Sequence, residues 1–128
     1  MRLLLDTHTL LWWLLDDPAL SQTAEREMAD RGNDVFVSAV SGWELAIKFK
    51  LGKLPGAAPL IVGLAPRIAG EGFIELPIGL QDGERAGSLP MFHKDPFDRM
   101  LVAQAAAGGL VVVSNDQVFD AYGAPRLW

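Results

Sequence analysis

No cysteine occurs in the 128 residues of this chain. Disulfides and thiolate-held metals are thereby excluded, and the absence fits a cytoplasmic protein. Also missing is any apolar run long enough to cross a bilayer, which takes about 20 consecutive residues. The most apolar stretch, Leu10–Leu15, is short and bounded by Asp16 and Asp17. Arg2 alone precedes the first apolar stretch and no small-residue cleavage site follows, so no signal peptide is expected. Basic charge is scarce: 11 Lys and Arg stand against 16 Asp and Glu, a net charge of −5. That balance argues against a generic nucleic-acid binder working through a global cationic field. No repeat, low-complexity tract or second domain is apparent, and 50% of the residues are hydrophobic. A single domain over residues 1–128 is expected, large enough for one core.

Short apolar runs alternate with helical patterns along the chain. Residues 2–5, 35–37, 73–76 and 110–113 read as strands, and residues 125–127 as a small edge strand. Helices are expected from about Thr9 to Asp16, ended by Asp17-Pro18; from Thr23 to Arg31, capped by Ser21; and from Ser38 or Ser41 to near Gly52. A turn-rich connection, Pro55 to Pro59, leads to a helix from about Leu60 to Ala69, and shorter helices are expected at 80–87 and 115–122. Asp95-Pro96-Phe97-Asp98 is the strongest helix start, with Asp95 as N-cap and proline at the first helical position; Gly108-Gly109 ends that helix. The alternation predicts an α/β fold on a mostly parallel sheet.

Asp6, Glu44, Asp98 and Asp116 all stand where such a fold ends a strand or begins a helix. In an open parallel sheet these places converge on the carboxyl edge of the strands, where ligands bind. Carboxylates brought together need a cation to stay ionised, and hard oxygen ligands suit Mg²⁺ or Mn²⁺. The pattern points to metal-assisted chemistry on phosphate. Setting these four aside leaves 12 of the 16 acids against 11 Lys and Arg, so a bound divalent ion brings the whole close to neutral. Nucleic acid would then be held by a local patch plus the metal.

Each acid also has a structural explanation. Asp6 can cap the helix that follows it. Asp98, at the third helical position, can interact with the helix dipole, whereas Asp95 is fully explained as the cap. Glu44 and Lys48 form an i,i+4 pair in the favourable order, and Trp43, Ala46 and Ile47 are expected to face the core. Ser114, Asn115 or Asp116 can cap the last helix, and Ser114 and Thr7 can also bond a metal-held water. Lys48, Lys50 and Lys53 form the one lysine cluster, suited to a polyanionic substrate. Lys94 and Arg99, beside the acidic helix start, are solvated charges or contacts to a phosphate backbone. His8 and His93, whose ordinary pKa lies near neutrality, are left outside the site. Residues 10–15 are apolar all round, with Trp12 and Trp13 pointing about 100° apart on a helix, which implies deep burial or an interface.

Several stretches together resemble PIN-domain ribonucleases, and most of all the VapC-type toxins of bacterial toxin–antitoxin pairs. They are Leu4-Leu5-Asp6-Thr7-His8, Val37-Ser38-Ala39-Val40-Ser41-Gly42-Trp43-Glu44, the run from His93 to Ala105 that contains Asp95-Pro96-Phe97-Asp98-Arg99, and Val113-Ser114-Asn115-Asp116. The resemblance runs from Leu3 to about Leu127. It implies a central parallel sheet of four to five strands in the order 3-2-1-4-5 with helices on both faces. It also implies a magnesium-dependent endoribonuclease whose acids map onto Asp6, Glu44, Asp98 and Asp116, and products with 5′-phosphate and 3′-hydroxyl ends. A homodimer and an antitoxin partner covering the active-site groove are further implications. Ser114 stands where the family often has threonine, and keeps the hydroxyl.

The expected reaction is hydrolysis of an RNA phosphodiester with Mg²⁺ or Mn²⁺ held by the four carboxylates, with no protein nucleophile. Two rivals remain, the first on a similar sheet and the second using the same cleft. A phosphatase or phosphoacceptor domain of the haloacid-dehalogenase kind needs a second Asp two residues after the first, and His8 is there instead; a receiver domain shows an acidic pair after its first strand, and Thr7 follows Asp6. A non-catalytic metal- or RNA-binding module predicts binding without cleavage.

Overall fold

Leu3, Leu4 and Leu5 are all 0% exposed. A strand with both faces apolar belongs in the middle of a sheet covered on both sides, and β1 (Arg2–Leu5) lies there. In the computed structural model, which describes residues 1–54 and 63–128, β1 pairs with β2 (Asp34–Ser38) on one side and β4 (Val111–Val113) on the other. The strands β3 (Ile74–Leu76) and β5 (Arg126–Leu127) complete a parallel five-stranded sheet of order β3-β2-β1-β4-β5. This is the order implied by the resemblance.

Side-chain alternation along β1 divides the core in two. Leu3 and Leu5 pack with α1 (Thr7–Leu14), α2 (Gln22–Ala29) and α4 (Leu64–Gly70) through Leu10, Leu11, Leu14, Met28 and Ile68. Leu4 and Val112 pack on the other face with α6 (Pro96–Gly108) and α7 (Val118–Ala121) through Leu101, Val102, Ala105 and Phe119. The helix α3 (Ala39–Lys50) serves both clusters, with Val40 in the second and Leu45 in the first. The helix α5 (Leu80–Ser88) packs beside α6. Among the described residues no helix is long and apolar enough to cross a membrane.

Several boundaries differ from the sequence reading for identifiable reasons. α1 begins at Thr7 rather than Thr9, because Asp6 caps it by accepting from the Thr9 N–H. The last helix begins at Val118 rather than Asn115, because Asn115–Gln117 form a turn held by the Ser114 hydroxyl and the Asp116 carboxylate. The expected connection at 55–59 lies outside the described residues, as does the start of the expected helix 60–69; α4 is described from Leu64. The expected core face of α3 is corrected. Trp43 is 60% exposed and Ala46 is exposed, while Val40, Ser41, Glu44 and Leu45 turn inward. Ser38 caps α3 directly at the end of β2, and this phase carries Glu44 over the sheet edge.

Leu10–Leu15 is not buried all round either. Leu10, Leu11 and Leu14 enter the core, but Leu15 is exposed and both tryptophans are half-buried. Trp13 packs on Phe73 with ring centroids 5.5 Å apart and donates to Glu71 Oε2 at 3.2 Å.

Candidate functional site

The chain passes from β1 to α1 through a single residue, Asp6. Its Oδ1 accepts from the Thr9 N–H at 2.7 Å, its Oδ2 accepts from the Ser114 hydroxyl, and its own N–H donates to the Val113 carbonyl at 3.2 Å. Capping and presence at the sheet edge are therefore not alternatives: Asp6 does both, at 5% exposure. Two residues beyond the Ser114 hydroxyl, at the end of the neighbouring strand, Asp116 donates its backbone N–H to that hydroxyl at 2.9 Å. The Asp116 carboxylate accepts from the Val118 N–H at 2.9 Å. The Ser114 hydroxyl thus joins the ends of β1 and β4, adjacent because the strands pair.

Glu44 reaches the same edge from α3. It is 5% exposed, and its Oε2 accepts from Lys48 Nζ at 2.6 Å, the i,i+4 contact read from the sequence. Asp98 arrives from the first turn of α6. Asp95 caps that helix as expected, accepting from the N–H groups of Phe97 at 2.8 Å and Asp98 at 3.4 Å. Asp98 is thereby free to turn into the cleft, where its Oδ2 lies 2.9 Å from His93 Nε2. Its pKa is pushed up to about 6, first by burial and then by the negative charges of Asp95 and Asp6, against the opposing hydrogen bond and charge of His93.

A cavity of ≈ 420 Å³ is lined by all four sequence-predicted acids, together with Asp95, His93 and Lys48. Among the described residues, the group of three or more His, Asp and Glu whose ligand atoms lie within 4.8 Å of one another is His93, Asp95 and Asp98. Asp6, Glu44, Asp98 and Asp116 share the cavity without closing to that distance. The donor set is nonetheless of the kind a hard divalent cation takes, namely carboxylate oxygens with one imidazole. The ionised form of Asp98, disfavoured first by burial and then by the charges of Asp95 and Asp6, is one that a cation beside it would favour.

Some sequence readings change here. His93, left outside the site, lies inside it and touches Asp98. It sits in an aperiodic loop, so its only signal was nearness in sequence to Asp95 and Asp98. Arg99 is neither a solvated charge nor a phosphate contact. It is 7% exposed, and its guanidinium donates to the carbonyls of Ala86 at 2.9 Å, Leu89 at 3.0 Å and Pro90 at 3.0 Å, and to that of His93 at 3.3 Å. A buried arginine spanning one loop is a brace for that loop. Thr7 is committed to joining α1 to α3, donating to the Ser41 hydroxyl at 3.0 Å. Lys50, Lys53 and Lys94 are exposed. His8, also left out, lines the cavity together with Trp12.

Comparison with known proteins bears on the family and the fold. A family model described as the PIN domain matches residues 3–125. The chain is similar to "Ribonuclease VapC22" of Mycobacterium tuberculosis, 26% identical over 135 residues that cover 96% of this chain and 93% of that protein. Among solved structures it is similar to VapBC2 from Rickettsia felis bound to a DNA fragment from their promoter, with a TM-score of 0.72, 14% identity and coverage of 99% of this chain and 98% of that one. It is also similar to FitAcB from Neisseria gonorrhoeae, with a TM-score of 0.65, 19% identity and coverage of 98% and 96% respectively.

Proposed function

Since the chain belongs to the PIN domain family, we propose that it is a metal-dependent endoribonuclease that hydrolyses RNA phosphodiester bonds, and that it serves as the toxin of a toxin–antitoxin pair. One observation carries the reading: acids from four separate stretches of sequence, Asp6, Glu44, Asp98 and Asp116, line one cavity at the carboxyl edge of the sheet. The ribonuclease relative, matched across nearly its whole length, supports the choice of RNA.

In this reading Asp6, Glu44, Asp98 and Asp116 hold Mg²⁺, with Mn²⁺ able to replace it. The bound ion supplies positive charge for the phosphate and leaving oxygens and lowers the pKa of water. The chain's own residues orient the carboxylates. Ser114 and the Thr9 N–H fix both oxygens of Asp6, Lys48 holds Glu44, His93 holds one oxygen of Asp98, and the Val118 N–H holds Asp116. Fixed oxygens lower the reorganisation needed when an ion and a phosphate arrive. No side-chain nucleophile is required, and the products carry 5′-phosphate and 3′-hydroxyl ends.

The partners proposed are an antitoxin protein and a second copy of the chain, with the complex working in the cytoplasm. The VapBC2 and FitAcB neighbours support the fold that such partners would engage. Leu80 at 85%, Met91 at 66% and Phe92 at 62% exposure offer apolar area of the sort a protein partner covers.

The test is cleavage of a panel of structured and unstructured RNAs by wild type and Asp98→Asn at millimolar Mg²⁺ or Mn²⁺. Wild-type cleavage that disappears in the variant and on chelation is expected. Equal cutting by both proteins would remove Asp98 from the site, and binding without cutting by wild type would favour the non-catalytic module.

A further inference from the structure

The cavity poses an electrostatic problem for an RNA substrate. It is lined by Asp6, Glu44, Asp95, Asp98 and Asp116, and its one lysine or arginine is Lys48, already paired with Glu44 at 2.6 Å. A metal ion would attract the phosphate being cut, but among the described lining residues no unpaired lysine or arginine is left for the neighbouring nucleotides. Proteins that bind single strands place aromatic faces, on which every base can stack, along the path of the strand.

An aromatic row stands at this place. His8 and Trp12, one helical turn apart on α1, have ring centroids 5.8 Å apart, and Trp12 is 5.8 Å from Trp128. His8 is exposed and both tryptophans are half-buried. His8 and Trp12 line the acidic cavity itself, so the row is continuous with the site. The adjacent Trp13 is accounted for by the core, through Phe73 and Glu71. Trp128 packs in part against the same core and backs the row, whereas Trp12 presents an apolar ring among the carboxylates of the cavity.

We propose that His8, Trp12 and Trp128 form a stacking platform for a nucleobase of single-stranded RNA next to the phosphate that is cut. The inference rests on the ribonuclease reading for its ligand. It implies a preference for unpaired RNA, because a base inside a duplex cannot leave its neighbours without cost.

The test uses the full chain in an Asp98→Asn background, which separates binding from cleavage. Fluorescence anisotropy of a labelled RNA octamer is measured with Trp12 intact, with Trp12→Leu, which keeps apolar packing, and with Trp12→Phe, which keeps an aromatic face. The same octamer carrying one abasic nucleotide, moved position by position, is the second ligand. The expected result is affinity about tenfold weaker for Trp12→Leu, largely restored in Trp12→Phe, with one abasic position producing the same loss in the parent and no further loss in Trp12→Leu. In the cleaving protein, Trp12→Leu is expected to raise KM with kcat within about twofold, since stacking acts equally on substrate and transition state. Unchanged affinity in Trp12→Leu overturns the proposal, as does a loss identical for intact and abasic RNA at every position. A change in oligomeric state in Trp12→Leu with RNA affinity retained also overturns it, and assigns the row to a protein interface. If the wild type cuts no RNA while the abasic and Trp12 effects coincide as described, the platform stands and the nuclease reading falls.

Discussion

Burial and the charges of Asp95 and Asp6 make the ionised form of Asp98 unfavourable, and His93 offsets this only in part. The pKa rises from 3.8 to about 6 on folding, so between those values the folded protein binds more protons than the unfolded chain. Stability of the metal-free protein therefore falls as pH rises through that window and levels off above it. Urea unfolding from about pH 4 to about pH 8 in chelator is expected to show this decline in wild type and a flatter profile in Asp98→Asn. Adding Mg²⁺ should recover the wild-type loss and leave Asp98→Asn unchanged. Ser114→Ala strips a buried hydrogen bond from Asp6 and another from the Asp116 N–H. A loss of about 1–3 kcal/mol in urea unfolding is expected. Residue identities at strand ends were legible in the sequence because polar side chains there interrupt continuous apolar runs. The partnership of His93 with Asp98 was not, because a loop has no period from which to infer where a side chain points.

At the scale of elements, α6 shows what local chemistry decides alone. Asp95 caps it, Pro96 begins it and Gly109 ends it in the left-handed conformation at φ 64°. All three were readable without knowledge of the fold, since each acts within a few residues. Gly109→Ala should destabilise by about 1 kcal/mol through backbone conformation, because a Cβ there meets nothing within 4 Å. The orientation of α3 was not readable. Its apolar residues are spread around the helix, and the Ser38 cap and the neighbouring sheet edge decide that Glu44 turns in and Trp43 out. The reading of Arg99 changes for a related reason: its acceptors are carbonyls of the last turn of α5 and of the loop that follows, which leave no trace in side-chain sequence. Arg99→Ala should lose about 3 kcal/mol, given that hydrogen bonds from a charged donor are worth about 1.5–3 kcal/mol each. Limited proteolysis should then cut within residues 86–93 of the variant and spare the wild type.

Across the whole molecule, topology does what no single stretch of sequence can. Pairing β1 with both β2 and β4 puts the ends of three strands side by side, and α3, which follows β2, and α6, which precedes β4, carry Glu44 and Asp98 to the same edge. Alternating strands and helices were legible as an α/β fold; strand order came from resemblance rather than from periodicity. The net charge of −5 also acts at this scale. With Lys48, Lys50 and Lys53 as the only lysine cluster, RNA affinity at fixed Mg²⁺ should fall with salt with a log–log slope on the order of −2 or shallower, at about −0.7 per phosphate neutralised on a single strand. A markedly steeper slope in binding titrations over about 50 to 200 mM salt would show that more lysines and arginines than this cluster contact the RNA.

The central claim is that these acids share a divalent ion, and anomalous diffraction from crystals grown with Mn²⁺ tests it directly. A peak is expected in the cavity with oxygens of Asp6 and Asp98 at about 2.1 Å, the spacing of a small hard cation, and with Glu44 or Asp116 as a direct or water-bridged neighbour. A fully ordered cavity with no peak, or an ion held away from Asp6, would contradict it.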